Sequence, residues 1–181
     1  MTRVKVLWDD LDGRIGEGWG GDPGPNGCHV NVVLGVRGSP TAASIIGTFT
    51  TLSPGHTPIL VVVGESQDTY DPVWPPTVMI NKATAIDDRH QTITWGAGQL
   101  GIAQGVLDAV ADGLLEPTDD VLVFVCVWVD PTATDATAIR KANREATRKA
   151  IGVCVEGRDP EAARALVARR DEVTSPFYTG E

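Results

Sequence analysis

A single histidine stands at the head of an apolar run, in a position where it could transfer protons. His29 follows a loop rich in glycine and proline and begins the run His-Val-Asn-Val-Val-Leu-Gly-Val, with Asn31 two residues further on. An imidazole has an unperturbed pKa of about 6.5, so it can donate or accept a proton near neutral pH. The ordinary interpretation of a strand histidine is structural, and a catalytic role needs polar partners from elsewhere in the chain.

Candidate partners occur in two later segments. Lys82 and Thr84 are two residues apart in an expected strand, so their side chains would share one face. Gln99 stands at the head of an expected helix. Taken singly, each has an ordinary interpretation: a strand-edge lysine is a solvated charge, and a glutamine at a helix start bonds to the first turn.

The other histidines and the cysteines do not suggest a second reactive centre. His56 and His90 lack ligand spacing to each other or to the first histidine, so no metal site is expected. Cys28 directly precedes the strand histidine, but adjacent strand residues point to opposite faces, which argues against a Cys-His nucleophile pair. The three cysteines are odd in number and form no CxxC motif, which indicates reduced thiols in a cytoplasmic protein.

The elements that would position these residues begin with strands and end with long helices. The expected strands cover residues 4–8, 29–36, 59–64, 77–86 and 121–129, and the expected helices cover 40–49, 96–113, 135–155 and 160–170. This order predicts the α/β class, as an α+β two-layer sandwich in which a mixed sheet has helices packed on one side.

Three segments carry more specific expectations. The Val- and Leu-rich composition of strand 29–36 predicts burial on both faces. The very apolar composition of strand 121–129 predicts a central position in the sheet. Residues 9–25 are rich in glycine and predict a mobile loop that could act as a lid. The helix at 135–155 carries small alanines along one side, which would allow a close packing contact.

Length and charge narrow the classes of function. A chain of 181 residues fits one domain, residues 1–181, with an N-terminal strand and loop at 1–25 and a C-terminal tail at 174–181. The formal charge of −9 argues against nucleic acid and anionic membrane surfaces as partners, and the basic cluster at 140–149 reads as a solvated helix face. The chain has no apolar run of membrane-spanning length, and its first residues do not resemble a signal peptide.

A literal GxGxxG occurs at Gly96, Gly98 and Gly101, between a possible strand and a helix. This is the context of a dinucleotide-binding turn, and Asp130 after the next strand could meet a ribose. However, the motif lies in the middle of the chain and only one βαβ unit can be drawn around it. The favoured interpretation is that the glycines let the helix start approach a neighbouring strand closely.

A series of short motifs, in order along the chain, carries a family resemblance. They are Gly16-Glu17, the His29 strand, Gly35-x-Arg37-Gly38-Ser39-Pro40, Asn81-Lys82-x-Thr84-x-Ile86, Trp95-Gly96-Ala97-Gly98-Gln99, Asp108 to Gly113, Asn143-x-Glu145-Ala146-Thr147 and Ser175-Pro176-Phe177. From about Gly16 to Phe177 the chain resembles the formaldehyde-activating enzyme family, whose members join formaldehyde to tetrahydromethanopterin. The resemblance implies a fold like domain 2 of ribosomal protein S5, a homopentamer, and a site between neighbouring subunits.

The resemblance also assigns roles to single residues. His29 falls on the family's catalytic acid/base, which would protonate the hydroxyl that leaves a carbinolamine. The substrate-contacting positions are occupied by Leu60, Lys82, Thr84 and Gln99, which keep the family's residue type, and by Asn31, where the family has Asp. The small-molecule substrates implied are formaldehyde and a reduced pterin, with tetrahydromethanopterin as a co-substrate and no permanently bound cofactor.

Three functional hypotheses remain at this point. The first is a lyase that makes methylene-tetrahydromethanopterin from formaldehyde. The second is a divergent member that acts on another amine and a small aldehyde, or on a related dehydration in a biosynthetic pathway. It is motivated by Asn31, because an amide removes the charge that a carboxylate would place beside the imidazole. The third is a non-catalytic protein that binds a pterin or an aldehyde adduct.

Overall fold

A computed structural model describes residues 8–21 and 24–175 of the chain. The expected strand at residues 4–8 lies outside the described residues except for Trp8, which instead opens a short 3-10 helix, Trp8–Leu11. Pro176 and Phe177 of the tail motif lie outside them as well. Within the described residues, no helix is both long enough and apolar enough to cross a membrane.

The strands fall into one large and one small sheet. They are β1 (Ile15–Gly20), β2 (Cys28–Val36), β3 (Ile59–Leu60), β4 (Val62–Val63), β5 (Asp71–Pro72), β6 (Thr77–Asn81) and β7 (Val121–Val129). The large sheet has the order β1-β2-β7-β6-β3, and β4 pairs with β5. Because β6 and β7 are parallel and the other pairs are antiparallel, the sheet is mixed, as expected, and β7 is its central strand.

Polar side chains cap the starts of several helices. They are α1 (Pro40–Gly47), α2 (Asp88–Thr92), α3 (Gln99–Ala111), α4 (Ala136–Glu156) and α5 (Pro160–Ala168), with further 3-10 turns at Gln67–Thr69 and Arg170–Glu172. Ser39, Asp135 and Asp159 each accept a backbone N–H from the first turn of the helix that follows. These side chains satisfy donors that a helix start otherwise leaves unpaired.

The core lies between one face of the sheet and a layer formed by α3 and α4, which pack against each other. On β2, this face carries the fully buried Cys28, Val30, Val32 and Leu34. The expectation that β2 is buried on both faces is wrong, because its other side chains are half-buried where no long helix covers them. Helix α1 covers that second face only at one end, where a Cβ atom on Gly35 would lie 3.0 Å from the Cα atom of Ala42.

The expected loop at residues 9–25 is wrong in its middle, which forms strand β1. The glycines of β1 occupy every second position and face α4, whose backbone comes close to them. A Cβ atom on Gly18 would lie 2.1 Å from the carbonyl oxygen of Ala146. The corresponding distances are 2.1 Å for Gly16 and Ala150, and 1.9 Å for Gly20 and Ala142. Glycine therefore serves here to bring strand and helix together, and the small alanines of α4 have the packing role expected of them.

The GxGxxG motif lies inside one continuous helical segment. A π-helical turn, Ile93–Gly98, joins α2 to α3, and it contains Gly96 and Gly98. No strand directly precedes the motif, so the geometry of a dinucleotide-binding turn is absent. Gly101 instead allows contact with α4, since a Cβ atom there would lie 2.3 Å from the carbonyl oxygen of Arg140. Close packing was the favoured interpretation, although the neighbour is a helix and not a strand.

The basic cluster on α4 is partly neutralised by α3. Arg144 donates two hydrogen bonds to Asp108, at 2.6 and 2.7 Å, and Arg148 donates one to Asp112 at 2.6 Å. The arginines are four residues apart, as are the aspartates, so the pairs form a ladder along the two helices. The cluster therefore contributes to helix packing as well as to a solvated face.

Candidate active site

His29 lies on the sheet face that the long helices leave open. Its side chain is 31% exposed, and strand pairing sets it between Trp19 of β1 and Trp128 of β7. The Trp19 ring centroid lies 6.1 Å from that of His29 and 5.9 Å from that of Trp128. Trp19 therefore packs against both the imidazole and Trp128, and the imidazole keeps an exposed part that a small molecule could reach.

Lys82 reaches the histidine from the first position after β6. Its backbone N–H donates to Val127 O at 2.7 Å, which holds the residue against the central strand. Its Nζ donates to His29 Nδ1 at 2.5 Å and to Asn31 Oδ1 at 2.8 Å. Three of the residues assigned by the resemblance thus meet at one point on the open face.

These contacts fix the proton position on the imidazole. An ammonium has only protons to offer, so His29 Nδ1 must accept and the ring proton of the neutral form sits on Nε2. His29 Nε2 faces Glu17 Oε2 at 3.6 Å, which is beyond hydrogen-bond distance and within ion-pair distance once the ring is charged. The imidazole therefore has a cation on one side and a carboxylate on the other.

Glu17 is part of the family motif Gly16-Glu17, but the sequence does not identify it as a site residue. The interpretation of residues 9–25 as a loop gives it no defined position beside His29. In the structure it alternates with the glycines of β1, and it pairs in register with Asn31. The signal that could have found it is the period-two pattern of Gly16, Gly18 and Gly20, which marks a strand with its other residues on the opposite face.

Burial shifts both nitrogen bases at this point towards their neutral forms. Burial lowers the pKa of His29, the positive charge of Lys82 lowers it further, and Glu17 opposes the change. Burial likewise lowers the pKa of Lys82. The expectation of an unperturbed histidine is thus corrected: the imidazole is neutral near pH 7 and ready to accept a proton.

Asn31 makes this arrangement unusual for a lysine. The amide oxygen accepts a hydrogen bond from Lys82 Nζ but brings no negative charge. No ion pair formed by the described residues includes Lys82. A carboxylate in place of Asn31 would stabilise the ammonium, and its absence allows burial to dominate the charge state of the amine.

Thr84 does not share a strand face with Lys82, contrary to expectation. Strand β6 ends at Asn81, whose side-chain amide donates to Gly55 O and to Ala83 O, each at 2.7 Å. These bonds turn the chain, and Thr84 is exposed against Gly55, where an added Cβ atom would lie 2.5 Å from Thr84 Oγ1. Thr84 therefore faces a different loop from the His29 group.

Leu60 and Gln99 also lie apart from the His29 group. Leu60 is 43% exposed on β3, where it pairs with Val78 on the same sheet face as His29. Three strand spacings separate β3 from β2, or about 14 Å at the usual 4.7–4.9 Å spacing. Gln99 Nε2 donates to Val62 O at 2.5 Å and so ties α3 to β4.

The remaining histidines and the cysteines have structural environments. His56 Nδ1 bonds to Asn81 O at 2.9 Å, and the buried His90 donates from Nε2 to Val129 O at 3.1 Å. Cys28 is fully buried on the face opposite His29, and burial raises its pKa to about 12. Among the described residues, no three or more His, Cys, Asp or Glu side chains form a group that could hold a metal ion.

Comparison with known proteins shows which family the chain belongs to. The family model described as formaldehyde-activating enzyme (Fae) matches residues 15–178. A 5,6,7,8-tetrahydromethanopterin hydro-lyase of Methanosarcina barkeri is 34% identical over 176 residues, covering 96% of this chain and 95% of the relative. Two bifunctional Fae/Hps enzymes, of Archaeoglobus fulgidus and Methanothrix thermoacetophila, are 32% and 30% identical, and the match covers 35% and 37% of their lengths. The chain therefore belongs to the formaldehyde-activating enzyme family.

Proposed function

We propose that this protein is a hydro-lyase that condenses formaldehyde with tetrahydromethanopterin to give methylene-tetrahydromethanopterin, with His29 as general acid/base. Membership of the family and the name of the Methanosarcina barkeri relative support the reaction class. The observation that carries the role of His29 is its position on an accessible sheet face between Lys82 and Glu17.

The reaction removes one proton from each of two nitrogens and delivers two protons to the oxygen of formaldehyde. Addition of a secondary amine to formaldehyde gives a carbinolamine, loss of water gives an iminium, and a second nitrogen closes the ring and releases its proton to solvent. As the first amine adds, the formaldehyde oxygen takes a proton from solvent, and the neutral imidazole of His29 accepts the proton of that amine. The resulting imidazolium, stabilised by Glu17, returns it to the departing hydroxyl, which leaves as water. A histidine whose pKa is lowered suits this cycle because it begins neutral near pH 7.

Substrate contacts are proposed for both groups of residues. Asn31 and Lys82 would bind polar atoms of the pterin beside His29. Leu60, Thr84 and Gln99 lie apart in one chain, so their proposed contacts would come from a neighbouring copy in the homopentamer that the family resemblance implies. Tetrahydromethanopterin enters as a co-substrate in this scheme.

A second candidate function is the same condensation with a different amine. The observation that favours it is Asn31, whose neutral amide occupies the hydrogen-bonding position beside Lys82 Nζ. The adjacent Trp19 and Trp128 offer stacking surface to a planar ring of another kind. Tetrahydrofolate is a suitable probe because it presents a comparable pair of nitrogens on a different scaffold.

The test is the rate of formaldehyde consumption above the spontaneous condensation, with either pterin. We expect catalysis with tetrahydromethanopterin and a loss of about 10²- to 10⁴-fold in His29→Ala, the usual contribution of a general acid/base. The Lys149→Ala variant is the control, because its exposed side chain lies on α4, on the far side of the sheet from His29, and its rate should be unchanged. Full activity in His29→Ala would refute the assigned role, and binding without acceleration would indicate a non-catalytic protein.

A further inference from the structure

The side chain of Lys82 is oriented as a nucleophile would be. Its Nζ lies 2.5 Å from His29 Nδ1 and 2.8 Å from Asn31 Oδ1, and both acceptors are neutral. A neutral amine has two N–H bonds and one lone pair. Donation to the two acceptors uses both N–H bonds. Among the residues that the structure describes, none donates a hydrogen bond to the remaining lone pair. The lone pair can therefore attack an electrophile on the open face.

The surrounding charges allow the amine to be neutral. Glu17 of β1 lies on the far side of the imidazole, at Nε2. The thiol of Cys126 on β7 lies on the same sheet face, in register with Asn31, and the thiol of Cys28 lies on the opposite face. Both are neutral groups, because burial raises the pKa of both. Lys82 is itself half-buried, and burial lowers its pKa. None of these groups places a carboxylate against Nζ.

We propose that Lys82 carries the carbon of formaldehyde as a covalent iminium and passes it to the acceptor amine. This inference rests on the proposed formaldehyde chemistry and deepens it, by assigning the first addition to the protein and not to the pterin. His29 then transfers protons during formation of the lysine adduct as well as during formation of the product. Its Nδ1 is already hydrogen-bonded to the reacting nitrogen, Lys82 Nζ.

Loading attaches the carbon of formaldehyde to Lys82 and releases its oxygen as water. The lone pair of Lys82 Nζ forms a bond to the formaldehyde carbon, and the carbonyl π bond breaks to leave an alkoxide. His29 Nδ1 takes one proton from Nζ, and the alkoxide takes one from solvent, which gives the carbinolamine. The imidazolium returns its proton to the hydroxyl, the C–O bond breaks, and water leaves an N-methylene iminium on Nζ. One solvent proton is consumed for each water released.

The unloading step restores the lysine. The secondary amine of the acceptor attacks the iminium carbon, and a proton moves from the attacking nitrogen to Lys82 Nζ through His29. The bond from carbon to Nζ then breaks, and Nζ leaves as a neutral amine while the acceptor becomes the iminium. No oxidant or reductant is needed at any step, and the second acceptor nitrogen closes the ring as before.

Reductive trapping tests the proposal without any pterin. The full-length protein is treated at about pH 6.5 with limiting formaldehyde and cyanoborohydride, which reduces an iminium to an N-methyl group, and methylation of each lysine is followed by peptide mass spectrometry. The exposed Lys141 and Lys149 are internal controls, because ordinary lysines have a pKa of about 10.4 and remain protonated. We expect Lys82 to be methylated faster than either control, by about tenfold for each unit by which its pKa lies below theirs. Methylation at the rate of the controls would overturn the proposal.

Two variants distinguish a covalent role of Lys82 from a non-covalent contact between Lys82 and the substrate. Lys82→Arg keeps a cation and hydrogen-bond donors but cannot form an iminium, so condensation should fall to the level of His29→Ala, while Lys141→Arg should match the unaltered protein. Asn31→Asp places a carboxylate beside Nζ, so trapping at Lys82 should slow by about tenfold for each unit by which the pKa rises. Unchanged catalysis in Lys82→Arg, or unchanged trapping in Asn31→Asp, would refute the covalent role.

The outcomes also distinguish this inference from the proposed function. If Lys82 is trapped preferentially but tetrahydromethanopterin is not a substrate, the carrier role stands and the proposed acceptor is wrong. If tetrahydromethanopterin is condensed rapidly but Lys82 is methylated no faster than Lys141, the proposed function stands and the carrier role is refuted.

Discussion

Lys82 Nζ and His29 Nδ1 lie 2.5 Å apart, in a partly buried position that penalises the charged form of each group. The contact adds to the effect of burial, because two cations at that distance would repel each other and protonation of one disfavours protonation of the other. The pair therefore holds at most one proton beyond the neutral state over much of the physiological range, and its titration is a property of the pair.

The charge of Lys82 should be visible in the titration of His29. We expect the pKa of His29 to lie below the usual value of about 6.5, and to rise in Lys82→Met, which removes the neighbouring cation. The measurement is an NMR titration of the imidazole signals, with His29 assigned by its absence in His29→Ala. Lys149→Met is the control, because its exposed side chain on α4 should leave the titration unchanged. A His29 pKa that falls in Lys82→Met would contradict the assigned contact.

The carboxylate of Glu17 should act in the opposite direction. Its charge raises the pKa of His29, so Glu17→Gln should lower that pKa further and make the imidazolium rarer at every pH. If the imidazolium delivers the proton to the departing hydroxyl, the condensation rate should fall in this variant, with the largest loss at alkaline pH. Glu145→Gln on α4 is the control. An unchanged His29 titration in Glu17→Gln would show that the 3.6 Å approach has no electrostatic consequence.

Much of the framework of this site could be predicted because its signals are local. Each of these signals depends on a few adjacent residues: the apolar run of β2, the central apolar strand β7, and the caps at Ser39 and Asp159. Hydrophobic periodicity and capping chemistry report such elements whatever the rest of the chain does. The shared face of His29 and Asn31 also agrees with their spacing of two residues in a strand, whereas the face expected to be shared by Lys82 and Thr84 does not exist.

The parts that could not be predicted depend on contacts between distant segments. The sequence predicts a loop where strand β1 lies, because glycine is typical of loops. The reason for these glycines is the close approach of α4, which lies more than a hundred residues later in the chain. The exposure of Thr84 depends on the bond from Asn81 to Gly55, which ends β6 early. Glu17 was not predicted as a site residue because the strand that positions it, β1, was not predicted. Such contacts leave no periodic trace within a short window of sequence.

Asp12 should stabilise the turn that precedes β1. Its Oδ1 accepts from Val36 N at 2.8 Å and from Ser39 Oγ at 2.6 Å, and its Oδ2 accepts from Thr41 Oγ1 at 3.1 Å. We expect Asp12→Ala to lower the free energy of unfolding by about 2 kcal/mol at pH 7, within the range for hydrogen bonds to charged groups. Urea denaturation at fixed protein concentration measures this, and the exposed Asp10→Ala is the control, with a change of about 0.5 kcal/mol or less.

The contribution of Asp12 should disappear in acid. The bond from Ser39 lowers the pKa of Asp12 below its unfolded value of about 3.9, so the folded state favours the carboxylate. Its stabilisation is complete above the unfolded pKa and is lost as the pH falls through the folded pKa. The difference between the unaltered protein and Asp12→Ala should therefore shrink as the pH falls from about 4 towards the lowered pKa. A difference that grows in acid would contradict the assignment.

The glycine face of β1 should be intolerant of any side chain. A Cβ atom on Gly18 would lie 2.1 Å from the carbonyl oxygen of Ala146, and only a shift of the whole helix α4 could relieve that contact. We expect Gly18→Ala to lower the free energy of unfolding by about 3 kcal/mol or more, at the upper end of overpacking costs, or to prevent folding. Gly152→Ala, within α4 itself, is the matched control, because its added Cβ atom meets no atom within 4 Å and alanine favours a helix by about 1 kcal/mol. Circular dichroism followed through urea denaturation compares the two variants. Equal midpoints for Gly18→Ala and the unaltered protein would mean that β1 does not pack against α4 as the structure shows, and the positions of Glu17 and Trp19 beside His29 would then lose their support.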